Sequence, residues 1–383
     1  MNLNKIVVLG PSGGRRFTAL AEAAKRQGIE NITTINYADL IQRPAVLADS
    51  LTPDTWLRFE SPDENTAAFR ALYTAGATRA EELGYPVLAG TSLENVLRTP
   101  GMLGSPAQIA FGLESLLTQA ADIAVERRAF LSSDPAEVML SYDKTACNTH
   151  LAEHEVSVPQ ALPALEGFGQ LADRLAATRR GRIFVKLRHG SGASGTMALA
   201  AGPGGNIAAY TSMKISEGRN ILATKKVRRL TSQVEISLFI ETIISLGIHV
   251  EAWVPKAGID GRVCDLRVVA IQGAQPFCVL RMSRSPITNL HLDAERGPAD
   301  MLWQRMSDQA RADVMSTAEN VLSAFPNSHM LGIDIAVLSD YRSHRVLEVN
   351  AFGDHIRRVT IDGQTPQDAQ VIQMQKRMRD AAN

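Results

Sequence analysis

The chain has 383 residues, 45% hydrophobic and 21% charged, ordinary for a globular protein and long enough for two or three domains with ample core. Its 40 Lys and Arg balance 40 Asp and Glu, so net charge gives no argument for nucleic acid or an acidic membrane as a partner. The three cysteines, Cys147, Cys264 and Cys278, have no metal-ligand spacing and their odd number argues against a disulfide framework; with no leader-like or long apolar run, a reducing cytoplasm is the expected location.

In chain order, "KIVVLGPSGGRRFTALAEAAKRQGI" reads as strand, glycine turn and amphipathic helix, and "NITTINYADLI" as a second strand and turn, the start of an open α/β domain. "GPSGGRR" can bind an anion at a helix N-terminus, but a tight strand-to-helix turn explains it better. In "LRFESPDENTAAFRALYTAGA" a helix is expected from near Asp63, with "ESPDEN" as its cap or as a contributor to a substrate site. Loop and helix segments then close the first domain near residue 120. "VMLSYDKTACNTHLAEHEVSVPQAL" predicts a helix from Asp143 to about Glu153 and a strand entry after it. "IAAYTSMKIS" and "NILATKKVRRL" read as strands, the basic run 225–230 as a solvated strand edge, and "SQVEISLFIETIISLG" as a helix. "IHVEAWVP", "VCDLRVVAI" and "PFCVLRMS" read as strands, followed by a polar loop at 284–300, a helix, and two apolar strands joined by a short turn.

"RIFVKLRHGSGASGTMALA" is a glycine-rich loop between two strands. It is neither a Walker-type loop, which needs Lys-Ser or Lys-Thr after its last glycine, nor a dinucleotide fingerprint, which opens a helix. Two readings stand side by side: a lid over phosphates, with Lys186 on the incoming strand as the point charge, or a flexible surface hairpin.

The last two strands carry the sharpest signal. Glu348 and Asn350 are two apart in "VLEVN" and share a strand face; if the strands pair, Asp334 in "GIDIAVL" sits opposite them. Two carboxylates and an amide oxygen suit Mg²⁺, and carboxylates set among apolar residues are costly unless a cation offsets them. Asp265 and Arg267, also two apart, share a face; the arginine either holds a terminal phosphate or belongs to an ion pair.

Taken in order, "YDKTACNTHLAEHEVSVP", "FVKLRHGSGASGTMAL", "HVEAWVP", "CDLRVVAI", "TNLHLD", "GIDIAVL" and "VLEVNAFGDH" resemble the ATP-grasp superfamily over about residues 143–358. The resemblance implies a mixed α/β and α+β chain: an open, Rossmann-like α/β domain at 1–120, then two α+β subdomains that grip ATP, 121–245 with the glycine-rich lid and 246–383 with the metal site. It implies that Lys144 and Lys186 contact phosphates, that Ser191, Gly192, Ala193, Ser194 and Gly195 form the lid, and that Glu251, Trp253 and Val254 form the hinge that reads the base. Asp260 is the candidate for the ribose. Arg267 matches the arginine near the terminal phosphate, Asn289 resembles an asparagine near phosphate and metal, and Arg281 with Arg284 can bind a substrate carboxylate or acyl phosphate. Asp334, Glu348 and Asn350 match the ligands of one or two Mg²⁺ ions, for which Mn²⁺ can substitute. Leu187 departs from the pattern, which often has proline after the lid-strand lysine.

The implied activity is that of a carbon–nitrogen ligase: ATP activates a carboxylate as an acyl phosphate, an amine takes the acyl group, and ADP and phosphate leave. The alternatives are a kinase on the same scaffold and a ligase that modifies a peptide. The substrates are then a small-molecule or peptide carboxylate and amine, with no nucleic acid and no membrane, and a homodimer is compatible with the sequence. His355, Arg357 and Arg358 in "FGDHIRRV" either face the acceptor pocket or lie in a solvated loop.

Overall fold

The computed structural model describes residues 2–62, 65–216, 220–353 and 356–381. Three sheets follow one another along the chain. The first contains β1 (Lys5–Leu9), β2 (Asn31–Ile35), β3 (Thr55–Phe59) and β4 (Phe130–Leu131), all parallel, in the order β2-β1-β3-β4. Parallel strands covered on both faces read as unbroken apolar runs, as "IVVL" does. One face packs on helices Thr66–Ala75 and Pro106–Glu126, with Val7, Leu9, Leu57 and Phe59 in the core. The other packs on helix Arg15–Arg26 and, from the far end of the chain, on helix Pro366–Asp380, whose Val371, Met374 and Met378 meet Ile6, Val8 and Trp56.

The second sheet contains β5 (Ala161–Leu162), β6 (Arg182–Leu187), β7 (Met197–Ala201), β8 (Ile207–Ile215), β9 (Ile221–Leu230) and β10 (Ile248–Ala252), antiparallel in the order β5-β10-β6-β7-β8-β9. Helix Gln233–Ser245 places Ile236, Phe239, Ile240 and Ile243 at three- and four-residue spacing and buries them against one face. The third sheet contains β11 (Gly258–Ile259), β12 (Arg262–Ile271), β13 (Phe277–Ser283), β14 (Glu295–Gly297), β15 (Met330–Val337) and β16 (His344–Asn350). Its path is β14-β13-β12-β15-β16, with β11 paired to β12. Helix Asp308–Ser323 packs on it through Val314, Ala318 and Val321.

Local chemistry accounts for the departures from the sequence reading. After β2 the chain enters a helix, Tyr37–Gln42, and not a turn: Asn36 caps it by accepting from Ala38 N at 3.0 Å, while Asp39 accepts from Asn36 N. β3 was not anticipated, because "TWLRF" is short and carries an arginine in its interior; Arg58 is kept buried by Glu60, with which it forms an ion pair. The helix expected near Asp63 begins at Thr66, where Asn65 accepts from Ala68 N at 2.9 Å. Helix Pro106–Glu126 runs across residue 120, and β4 then joins the first sheet. Asp63, Glu64 and His355 lie outside the described residues. Among the described residues, no helix is long and apolar enough to cross a membrane.

His329, at the entrance to β15, is wedged at the seam between the first and third sheets. Its Nε2 is 2.9 Å from the Gln370 carbonyl, and its ring meets Trp56 edge to face at 5.5 Å. Burial, reinforced by nearby guanidinium groups, pulls its pKa from 6.5 down to about 4. Between these values the unfolded chain takes up a proton that the folded chain refuses, so stability falls as pH drops through that window and levels off below it. This residue contributes a loss of up to about 3 kcal/mol. Chemical denaturation from pH 6.5 to 4 should show a shallower decline for His329→Gln than for the unaltered protein.

Candidate functional site

The second and third sheets face each other across a cleft. Alternation along β6 sends Ile183, Val185 and Leu187 into the core and Phe184 and Lys186 into the cleft. On the neighbouring β10, His249 lies opposite Lys186 and Glu251 opposite Phe184. Lys186 Nζ is 2.6 Å from Glu251 Oε1, and His249 Nε2 is 3.2 Å from Glu251 Oε2. Burial would raise the Glu251 pKa, but Lys186 and His249 outweigh it and bring it down to about 2.

On the third sheet, charges form a ladder across four strands. Asp265 on β12 pairs in register with Arg281 on β13; Arg267 on β12 pairs with Asp334 on β15; Asp334 pairs with Glu348 on β16. Arg281 bridges the two acids, with Nε 2.7 Å from Asp265 and Nη2 3.0 Å from Asp334. Arg267 Nε is 2.5 Å from Asp334 Oδ1. Asp265 and Arg267 therefore do not pair with each other, and neither lies on the surface. Lys256 and Thr288 complete the Asp265 cluster: Lys256 Nζ is 2.9 Å from Asp265 and 2.5 Å from Thr288 Oγ1, and the threonine hydroxyl donates to Asp265. Burial pushes the Asp265 pKa up, but Arg281, Lys256 and Thr288 override it and hold it at about 2; burial works against the charge on Arg281, but Asp265 and Asp334 push its pKa above the usual guanidinium value.

Lys144 reaches the cleft from the first turn of helix Lys144–Glu153. Asp143 caps that helix, accepting from Thr145 N and Ala146 N, and takes a two-point contact from Arg188 at 2.8 and 2.6 Å. Lys144 Nζ lies 3.0 Å from Glu348 Oε1 and donates to the Gly190 carbonyl at 2.6 Å. Burial works against ionisation of Glu348, and Lys144 and Lys186 more than compensate, so its pKa is lowered.

The glycine loop turns over Leu187, the residue that departs from the proline pattern. A Cβ on Gly195 would sit 2.2 Å from the leucine side chain, and one on Gly190 2.8 Å; Gly195 also has φ +68°. Ser194 N donates to Ser191 O and Thr196 N to Ala193 O, while Ser191, Gly192, Ala193 and Gly195 offer backbone N–H groups with no intramolecular acceptor among the described residues. At the loop's root, His189 is clamped between Tyr85 and Phe111 at 5.9 and 5.6 Å, and burial lowers its pKa to about 4.

The cleft brings together Lys144, Lys186, Ala193, Ser194, Glu251, Val254, Arg281, Asn289, Asp334 and Glu348. Trp253 borders it, edge to face with Phe184 at 5.3 Å in an apolar cluster with Ala198 and Ile287. Arg267 stands behind Asp334, and Asn350 donates to the Gly332 carbonyl at 3.5 Å, which leaves Oδ1 to offer a cation. Asp260 is not part of the cleft: at the turn between β11 and β12 it is largely exposed and faces Arg305 at 3.6 Å. Arg284, Arg357 and Arg358 are exposed. Sequence reasoning missed Lys256, Thr288, His249 and Phe184; His249 and Phe184 each lie two residues from a residue singled out in the sequence, Glu251 and Lys186, and that period was the available signal.

Among the described residues no three His, Cys, Asp or Glu side chains converge as a ready metal cage. Asp334 and Glu348, with Asn350, fit a hard cation that completes its shell with phosphate oxygens and water, as Mg²⁺ does. Asp334 presents Oδ1 to Arg267 Nε at 2.5 Å and Oδ2 to Arg281 Nη2 at 3.0 Å, so a cation held here would share both oxygens with guanidinium groups.

No family model matches the chain, and no curated protein matches its sequence. Solved structures do match its shape. The macrocyclase MdnC from Microcystis aeruginosa MRC, bound with precursor peptide MdnA, aligns with a TM-score of 0.53 and 13% identity over 97% of this chain and 99% of its own. D-alanine–D-alanine ligase from Bacillus anthracis, complexed with ATP, gives 0.52 and 12% over 99% of both chains. The ATP-grasp ligase PsnB, complexed with a precursor variant, Mg and ADP, gives 0.51 and 14% over 98% and 100%. The chain shares its fold with these three solved structures, one of them an ATP-grasp ligase. Because Asp265 is shared by two buried cations, Asp265→Asn should cost about 3 kcal/mol, read as a lower midpoint in urea unfolding.

Proposed function

We propose that the protein is an ATP-dependent ligase that joins a carboxylate to an amine. The observation that carries this reading is the convergence of Lys186 from the second sheet with Lys144 and the Arg267–Asp334–Glu348 ladder on the side of the third, beneath a loop whose backbone N–H groups have no acceptor among the described residues. Lys144, Lys186 and the loop hold the phosphates; Glu251, Val254 and Trp253 receive the base; Asp334, Glu348 and Asn350 hold one or two Mg²⁺ ions, with Mn²⁺ as a substitute. Mg²⁺, when bound, neutralises phosphate charge. Arg281 and Arg267 keep the acids aligned, and Arg281, with Asn289, faces the transferring group.

The substrate carboxylate attacks the terminal phosphorus and ADP leaves. The amine then attacks the acyl carbon and phosphate leaves. A carboxylate is already nucleophilic, so the chain needs no strong base; its work is orientation and charge neutralisation. The carboxylate and amine come from a metabolite or a peptide.

Glu348→Gln should reduce ADP release by about a hundredfold or more while its thermal midpoint stays near that of the unaltered protein. Wild-type turnover in that variant would overturn the assignment. ADP release that proceeds without any amine, leaving a stable phosphorylated product, would assign a kinase instead.

A further inference from the structure

We propose that His249 is a positioning residue that makes Glu251 a two-position acceptor: the imidazole holds one carboxylate oxygen, and the other is exchanged between Lys186 and an amino group on the bound base. The inference rests on the nucleotide reading above and adds a residue that reading does not use.

His249 is 4% exposed and lies on the cleft-facing side of β10, its Nε2 3.2 Å from Glu251 Oε2. The carboxylate is ionised and can only accept, so Nε2 carries a proton and donates it. The other ring nitrogen, Nδ1, is hydrogen-bonded to the Thr145 hydroxyl, 3.2 Å away. Thr145 directly follows Lys144 in the capped first turn of its helix. One chain of contacts, Thr145 to His249 to Glu251 to Lys186, therefore links the helix turn that carries Lys144 to the ammonium of Lys186.

The consequence appears when Lys186 turns to a phosphate. Glu251, also 4% exposed, would lose its cation, and an uncompensated buried carboxylate is strongly unfavourable. A fixed donor on Oε2 keeps the group aimed, and Oε1 then needs a new donor. The 6-amino group of adenine supplies one. Hypoxanthine has a carbonyl at that position and would set acceptor against acceptor. Phe184, opposite Glu251 in register, and Trp253 provide the apolar wall for either ring.

Calorimetric titration with Mg-ATP and Mg-ITP, without other substrates, tests this. The unaltered protein should favour ATP. His249→Ala should weaken Mg-ATP about tenfold, the size of one lost hydrogen bond to a charged group, and leave Mg-ITP within about twofold. His249→Gln, whose amide can donate to Glu251 and accept from Thr145, should recover most of the preference. Thr145→Val should lose about threefold for ATP alone, and it carries the test should His249→Ala fail to fold. A discriminating wild type whose ATP-to-ITP ratio survives these substitutions overturns the role of His249 only. A wild type that binds neither nucleotide overturns the nucleotide reading and this inference with it.

Discussion

Asp334 governs the chemistry of this molecule. It sits at the centre of an all-buried strand, where an isolated carboxylate would be among the most unfavourable groups the core can contain. It is tolerated because antiparallel register brings Arg267 directly opposite on one side and Glu348 on the other, while Arg281 reaches over from the next strand. A slip of one residue in either pairing would send these side chains to the opposite face. The bulge between Asp334 and Ile335 marks the point where β15 and β16 adjust to each other just beside the acid pair.

The surroundings hold that register in place. Immediately after Asn350, Ala351 and Phe352 enter the core of the first sheet, and Phe352 meets Tyr142 at 6.0 Å. Gly332, across from Asn350, has the Gly353 backbone 3.0 Å from where a Cβ would be, so any larger residue would have to push the following turn outward by a few tenths of an ångström. On the opposite wall, Tyr85 and Phe111 from the first unit grip the root of the glycine loop, and Arg188 pins the cap of the helix that carries Lys144. The first unit thus braces both jaws of the cleft.

Much of this was legible in the sequence where a period of two coincided with apolar surroundings. Asp334, Glu348 and Asn350 stood out because acids inside "GIDIAVL" and "VLEVN" are physically anomalous, and the ladder pairs Asp334 with Glu348 as that alternation requires. Lys256 was not legible: it follows a proline after a strand, and its significance depends on Asp265 and on Thr288, which lies 32 residues downstream. Asp260 shows the opposite failure. Its place in the chain suggested the cleft, but a two-residue turn with φ +50° at Asp260 points it to solvent. Nor did local pattern reveal β4, whose two residues form a strand only because β3 is already beside them.

The helix Pro366–Asp380 joins the end of the chain to its beginning, with Arg26 reaching Asp368 at 2.8 Å. A ribosome making this protein would therefore deliver the amino-terminal sheet long before its second cover. Through the synthesis of more than 300 intervening residues, Ile6, Val8 and Trp56 would remain half-clothed, a surface on which a holding chaperone can act. Only when the last helix emerges does the earliest part of the molecule become dry.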